Sequence, residues 1–132
     1  MRKFLEEAER ICRQEYPSKS YSPAKMLGIW EELIDECKEG YNWDVSEYHN
    51  ELGIRNTIEL LIKSETAKLC PEYRDFYSNV VVLDKSFREL LKLGVEVDSG
   101  RYWWERGVLV KAGEEIVGYY HKVYGTEIEL KK

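Results

Sequence analysis

The segment from Pro71 to Gly94 constrains the fold most strongly, because its apolar residues recur at alternating steps of three and four. They are Tyr73, Phe76, Val80, Leu83, Phe87 and Leu90. This spacing places all six on one side of an α-helix, and Pro71 suits a helix start because it has no backbone N–H to satisfy. The valines at 80–82 favour a strand locally, but the helical spacing on both sides outweighs them. We therefore predict an amphipathic helix that stops before Gly94.

Two earlier segments show the same helical spacing. A first helix is predicted over residues 3–15. A second is predicted over 23–39, because Ser22 can cap its first turn, Pro23 fits the first helical position and Gly40 fits the position just after the last turn. Both helices have charged residues between their apolar positions, as expected of helices with one face in a core.

The region 45–69 also has apolar residues at helical spacing, with Asp44 placed to cap its start. Gly53 interrupts this pattern. The sequence therefore indicates either two short helices or one bent helix here, and it leaves the choice open.

The residue pattern changes after Gly94 from helical spacing to β-branched and aromatic residues, which are separated by turn signals at 98–100 and 106–107. These features predict two or three short strands. A last helix over 112–124 and a final strand over 126–130 follow. The predicted fold class is therefore α+β, with four to five helices in a mainly helical N-terminal two-thirds, and a small C-terminal antiparallel sheet with one late helix.

Length and composition set further limits. A chain of 132 residues is about one domain long, so we expect a single domain over 1–132 with one core. No apolar run approaches the ~20 residues that cross a bilayer, and the N-terminal segment becomes acidic where a signal peptide would be apolar. We therefore expect a cytoplasmic protein that does not enter a membrane.

The sequence shows no motif for catalysis, for a metal site or for a cofactor. The three cysteines, Cys12, Cys37 and Cys70, are widely spaced, and the two histidines, His49 and His121, lack a second ligand at helical spacing. Nucleophile elbows, phosphate-binding loops and zinc-protease motifs are absent. We therefore predict no catalytic residues, no metal and no cofactor, although a small enzyme without a local motif stays open as an alternative.

Negative charge is concentrated in residues 29–51, which contain eight acidic residues and one base, Lys38, whereas the whole chain carries a net charge of −5. On the predicted helix 23–39 the acids fall on the side opposite the apolar residues. Several of them are spaced four apart, and like charges at that spacing mildly destabilise a helix. A basic partner would offset this repulsion and would associate faster. The acidic pI of about 5.2 argues against phosphate-backbone binding.

The segment Tyr102-Trp103-Trp104 offers a second feature. Adjacent residues of a strand point to opposite faces, so at least one of these rings should be partly exposed. Tyr and Trp are enriched among the residues that dominate binding energy at protein interfaces. One of the tryptophans is therefore a candidate anchor for a protein partner.

Residues 45–64 also resemble a helix-turn-helix, with Gly53 at the turn and Arg55, Asn56 and Lys63 on the helix that would read DNA. His49 and Glu59 depart from the usual pattern of small and apolar residues. The neighbouring acidic helix would repel phosphates. A DNA-binding regulator is therefore the alternative function.

The acidic helix and the segment from Trp103-Trp104 through Ala112-Gly113-Glu114 to Tyr124-Gly125 resemble the small acidic immunity proteins of bacterial toxin systems, including those of contact-dependent growth inhibition. The resemblance implies a protein that blocks a basic, nuclease-type toxin domain by occlusion, with carboxylates in the place of phosphates. The predicted partner-binding residues are Glu31, Glu32, Asp35, Glu39, Asp44, Glu47, Tyr102, Trp103 and Trp104.

Overall fold

The computed structural model describes residues 2–97 and 100–132, and within them the chain forms two compact units. Unit 1 contains the residues up to Glu31 together with Gly53–Asp84. Unit 2 contains Glu32–Leu52 together with Lys85–Lys132. Both units are discontinuous in sequence. The expectation of one domain over the whole chain stays a prediction.

The described residues confirm the α+β class, with a mostly helical N-terminal part and a small antiparallel sheet. The helices are α1 (Arg2–Glu15), α2 (Pro23–Glu39), α3 (Val45–Lys63), α4 (Glu65–Lys68), α5 (Tyr73–Arg88), α6 (Trp103–Arg106) and α7 (Glu114–Tyr119), the last followed by a π-helical segment, Tyr120–Tyr124. The strands are β1 (Leu91–Glu96), β2 (Gly107–Leu109), β3 (Lys111–Ala112) and β4 (Glu129–Leu130). Strands β1 and β2 pair antiparallel, whereas the short β3–β4 pair is parallel.

The buried residues of unit 1 come from α1 to α5. Phe4 of α1 meets Phe76 of α5 edge to face, with ring centroids 5.6 Å apart. The other buried apolar residues of this unit include Ala8, Ile11, Cys12, Met26, Trp30, Ile54, Ile58, Leu61, Ala67, Cys70 and Val80. Their spacing follows the helical periodicity in the sequence, which is why the bounds of α1 and α2 agree closely with prediction. Helix α5 ends at Arg88, earlier than the predicted stop before Gly94.

A buried ion pair crosses unit 1. Arg55 of α3 donates from Nε and Nη2 to the two carboxylate oxygens of Asp84 on α5, at 2.9 and 2.8 Å. Trp30 of α2 donates from its indole nitrogen to the same carboxylate at 3.1 Å, and Arg55 also donates to Glu59 at 2.9 Å. Because a buried charge is tolerated only when it is paired and hydrogen-bonded, this network fixes how the three helices contact one another within the unit.

The buried residues of unit 2 come from the second half of α2, the first half of α3 and the C-terminal elements. The apolar ones are Leu33, Ile34, Cys37, Tyr41, Tyr48, Leu52, Phe87, Val97, Trp104, Val108, Leu109, Ala112, Ile116 and Tyr120. Tyr41, in the loop after α2, forms a parallel bridge with Ala112 of β3. The loop between α2 and α3 therefore lies along the small parallel sheet.

The possible break at Gly53 does not occur, because α3 continues through it to Lys63. Gly53 serves a close approach instead: a Cβ atom here would lie 2.9 Å from the Tyr16 hydroxyl oxygen. The chain breaks at Ser64, whose side chain accepts a hydrogen bond from the Ala67 N–H and caps α4. The region 45–69 is thus one long helix followed by one short helix.

Two predictions near the C-terminal sheet also need correction. Strand β1 begins at Leu91, before Gly94 rather than after it. Residues Trp103–Arg106 form a helical turn instead of a strand, because the Glu105 carboxylate accepts hydrogen bonds from the backbone N–H groups of Arg101 and Tyr102 at 2.8 and 3.0 Å. Part of the predicted turn at 98–100 lies outside the described residues.

Candidate interaction surface

The outer face of α2 is acidic and exposed, as predicted. The exposed acidic residues of α2 in unit 2 are Glu32, Asp35, Glu36 and Glu39. Glu31 is also exposed, and it is the last residue of the first segment of unit 1. The opposite face of the same helix is buried, through Leu33, Ile34 and Cys37. The separation of apolar and acidic residues along this helix is therefore complete.

The first half of α3 adds carboxylates to those of α2 within unit 2. Asp44 caps α3, its Oδ1 accepting a hydrogen bond from the Glu47 N–H at 2.8 Å. Glu47 is exposed and Glu51 is half-buried. We call the set of acidic residues in segment 32–52 the acidic surface: Glu32, Asp35, Glu36, Glu39, Asp44, Glu47 and Glu51.

The carboxylates of the two helices act on one another. The pKa of Glu36 is raised, first by partial burial and then by the negative charges of Glu51, Glu32 and Glu47. Two of these charges stand on α3 and one on α2. Carboxylates that are far apart in the sequence, on α2 and on α3, therefore share one region of negative potential.

Little positive charge offsets this potential. Over residues 2–97 and 100–132, the one ion pair that involves the acidic surface joins Lys38 Nζ to Asp35 Oδ1 at 3.8 Å, and both side chains are more than half exposed. An exposed pair of this kind contributes about 0 to 1 kcal/mol. Among the described residues, the acidic surface therefore makes one weak ion pair, although the Lys131 side chain also lies against Gly40, next to Glu39.

The loop between α2 and α3 is held firmly at its base. The Gly113 N–H donates to the Tyr41 carbonyl oxygen at 2.7 Å, next to the Tyr41–Ala112 bridge. A Cβ atom at Gly113 would lie 2.3 Å from the Asn42 Oδ1, so only glycine permits this approach. Tyr41 itself is fully buried against Tyr48, with ring centroids 5.3 Å apart. The loop backbone is thus positioned before any partner binds.

Trp43 lies in this loop and is 61% exposed. No other described residue makes a hydrogen bond, a ring contact or a cation contact with its indole. Sequence reasoning missed this residue. The available signal was its position between a helix end at Gly40 and a helix cap at Asp44, because the tips of short loops usually face solvent.

The aromatic segment is partly exposed, as predicted, but it lies on a helical turn and not on a strand. Trp104 is only 2% exposed and stacks on Tyr102, with centroids 4.4 Å apart and ring planes 13° apart. Trp104 is therefore a core residue and cannot serve as a surface anchor. Trp103 and Tyr102 are half-buried, and the Arg88 guanidinium lies over the Trp103 ring at 4.0 Å from its centroid.

The geometry of residues 45–64 contradicts the helix-turn-helix prediction. The predicted turn is part of one continuous helix. Arg55, predicted to face DNA, is 4% exposed and is bonded to Asp84. Lys63 pairs with Glu59 at 3.5 Å. Residues 45–64 therefore do not form the helix-turn-helix on which the DNA-binding alternative was based.

The cysteines and histidines are the side chains that most often act as nucleophiles or metal ligands. Cys12, Cys37 and Cys70 are unpaired and buried, and burial together with Glu36 and Glu51 raises the pKa of the Cys37 thiol. Burial lowers the pKa of His49, and Glu105 opposes this shift. His121 contacts the Glu127 carboxylate at the surface. In the described part of the chain, no group of three or more His, Cys, Asp and Glu side chains could hold a metal ion.

Among the described residues, none of the helices combines the length and the apolar character needed to cross a bilayer. Comparisons with protein-family models, with curated proteins and with solved structures find no match to this chain.

Proposed function

We propose that this protein binds a basic protein partner through the acidic surface and neutralises it by occlusion. The partner class that fits best is a nuclease-type toxin domain, which makes this chain an immunity protein acting in the cytoplasm. One observation carries the proposal: exposed carboxylates from α2 and α3 are close enough to act on one another, and in the described residues they share one ion pair with the protein's own cations.

The energetics of the isolated protein support a role in binding. Glu32 and Glu36, and likewise Asp35 and Glu39, are four residues apart on one helix, and each such pair of like charges destabilises a helix by about 0.2 to 0.5 kcal/mol. Partial burial raises the pKa of Glu36 most, and the negative charges of Glu51, Glu32 and Glu47 on the two helices raise it further. A cationic partner would remove this repulsion and turn it into a favourable interaction.

The partner class follows from the arrangement of the charge. A nuclease binds the phosphates of its substrate with clustered lysines and arginines, because such clusters replace condensed counterions. The exposed carboxylates of the acidic surface offer the same sign of charge to that cleft. An inhibitor of this kind needs no chemistry, since it only has to cover the cleft and to associate quickly.

The test compares two triple variants that change the net charge equally. The first carries Glu32→Lys, Asp35→Lys and Glu39→Lys in the acidic surface. The control carries Glu6→Lys, Glu15→Lys and Glu89→Lys at other exposed acidic positions. Each is immobilised beside the wild type and used to capture proteins from the organism that encodes the chain.

We expect the wild type and the control to capture the same basic protein, and the acidic-surface variant to lose it. The captured protein should then be assayed for nuclease activity with and without the wild type. Equal capture by both variants would refute the proposal, and so would capture of a partner whose interaction survives reversal of the acidic surface.

A further inference from the structure

We infer that Trp43 is the anchor of the acidic surface and that it recognises arginine in preference to lysine. The inference rests on the proposed function and specifies the chemistry of the partner: a guanidinium group stacked on the Trp43 indole and bonded by neighbouring carboxylates. It adds an anchor to the predicted ones, of which Trp104 is buried and Trp103 is half-buried.

The exposure of Trp43 distinguishes it from the other tryptophans. Trp30 and Trp104 are buried, and Trp103 is half-buried beneath the guanidinium of Arg88. Trp43 is 61% exposed. Burial of an aromatic ring at the centre of an interface often supplies a dominant share of the binding free energy.

The setting of Trp43 adds charge to this apolar surface. Asp44 follows it directly in the sequence, and Glu39 and Glu47 are four residues away on either side, at the end of α2 and in the first turn of α3. All three carboxylates belong to the acidic surface. A partner that covers the indole would therefore approach a loop flanked by negative charge, which favours a cationic group over a purely apolar one.

The rigidity of the loop favours such a role. The Tyr41–Ala112 bridge and the hydrogen bond from Gly113 N–H to the Tyr41 carbonyl fix the backbone two residues before Trp43. The Asp44 cap fixes the backbone one residue after it. Because little backbone freedom remains to be lost, binding at this loop costs less conformational entropy.

A guanidinium group fits this setting better than an ammonium group. It is planar and weakly hydrated, so it can stack on an indole while its N–H groups bond carboxylates at its edge. An ammonium group is strongly hydrated and offers no flat face. The protein already contains such a stack in unit 2, where the Arg88 guanidinium lies 4.0 Å from the Trp103 centroid.

The experiment uses two synthetic peptides of equal length and charge, one with alternating arginine and serine and one with alternating lysine and serine. Each is titrated calorimetrically at low salt into the wild type, Trp43→Ala and the acidic-surface triple variant. Tyr77→Ala serves as the matched control, because Tyr77 is an exposed aromatic residue on α5 in unit 1.

We expect the wild type to bind the arginine peptide more tightly than Trp43→Ala does, while both bind the lysine peptide nearly equally. The loss of affinity caused by Trp43→Ala should be about two- to fivefold larger for the arginine peptide than for the lysine peptide, as for an exposed cation–π contact. Tyr77→Ala should behave as the wild type.

The outcomes separate the two proposals. If the triple variant loses affinity for both peptides but Trp43→Ala weakens them equally or not at all, the Trp43 inference is wrong and the proposed function stands. If the triple variant binds both peptides as well as the wild type does, the acidic surface attracts no cations and both proposals are overturned.

Discussion

The Tyr41 hydroxyl donates a hydrogen bond to the Glu51 carboxylate, which joins the α2–α3 loop to α3 within unit 2. Tyr41 is fully buried, and its pKa is raised by burial, by this bond and by the nearby carboxylates of Glu51, Glu36 and Glu47. The loop that carries Trp43 is therefore tied at its base to the β3 strand and also to α3.

The first prediction concerns this bond. Tyr41→Phe removes the hydroxyl and leaves the half-buried Glu51 without its donor, so the free energy of unfolding should fall by about 1 to 3 kcal/mol. Urea unfolding monitored by circular dichroism measures the change. Tyr77→Phe, at an exposed position, is the control and should change stability little. Equal effects of the two substitutions would show that the bond contributes nothing.

The second prediction concerns Glu36 and pH. Because its pKa is raised in the folded protein, the folded state binds its proton more tightly than the unfolded state does, and the ionised carboxylate weakens the fold at neutral pH. Glu36→Gln should therefore raise the free energy of unfolding at neutral pH. This gain should shrink as the pH falls through the raised pKa of Glu36, where the wild type becomes protonated.

Urea unfolding of the wild type and Glu36→Gln across the acidic range tests this prediction. Glu6→Gln, an exposed acid on α1, is the matched control and should show a smaller effect. A loss of stability in Glu36→Gln at neutral pH would contradict the view that the carboxylates of α2 and α3 repel one another.

The third prediction concerns the ion pair in unit 1. Asp84→Ala leaves the buried Arg55 without its bidentate partner and should lower the free energy of unfolding by about 3 to 5 kcal/mol. Asp75→Ala, at an exposed position on the same helix, should lower it by less than about 1 kcal/mol. Chemical unfolding of the three proteins in parallel provides the comparison, and similar stability of the two variants would refute a structural role for the pair.

The fourth prediction concerns the potential around Trp43. The difference in fluorescence between the wild type and Trp43→Phe isolates the Trp43 emission. Caesium ions should quench this emission more strongly than iodide ions do, because the acidic surface attracts cations and repels anions, and added salt should reduce the difference. Stronger quenching by iodide would show that the region around Trp43 is not negative.

Local sequence signals were sufficient for several elements. The starts of α2 and α3 were predictable because Ser22 and Asp44 accept hydrogen bonds from backbone N–H groups three residues later. The acidic face of α2 followed from helical geometry alone, since apolar and acidic residues alternate at the period of a helix.

Other features depend on contacts between distant residues. Gly53 lies inside a helix where the Tyr16 hydroxyl leaves no room for a side chain, and Trp104 is buried in the core of unit 2, stacked on Tyr102. The interaction of Glu36 with Glu47 and Glu51 joins two helices, so neither helical pattern could reveal it. These features could not be predicted from local sequence, because they depend on contacts that form only in the folded protein.

The association rate of the captured partner, measured by stopped flow at increasing ionic strength, tests the central claim most directly. We predict that raising the salt from low to high concentration slows association with the wild type by about tenfold or more, and that the Glu32→Lys, Asp35→Lys and Glu39→Lys variant associates slowly at every salt concentration. An association rate with the wild type that does not depend on salt, or a triple variant that associates as fast as the wild type, would contradict the account.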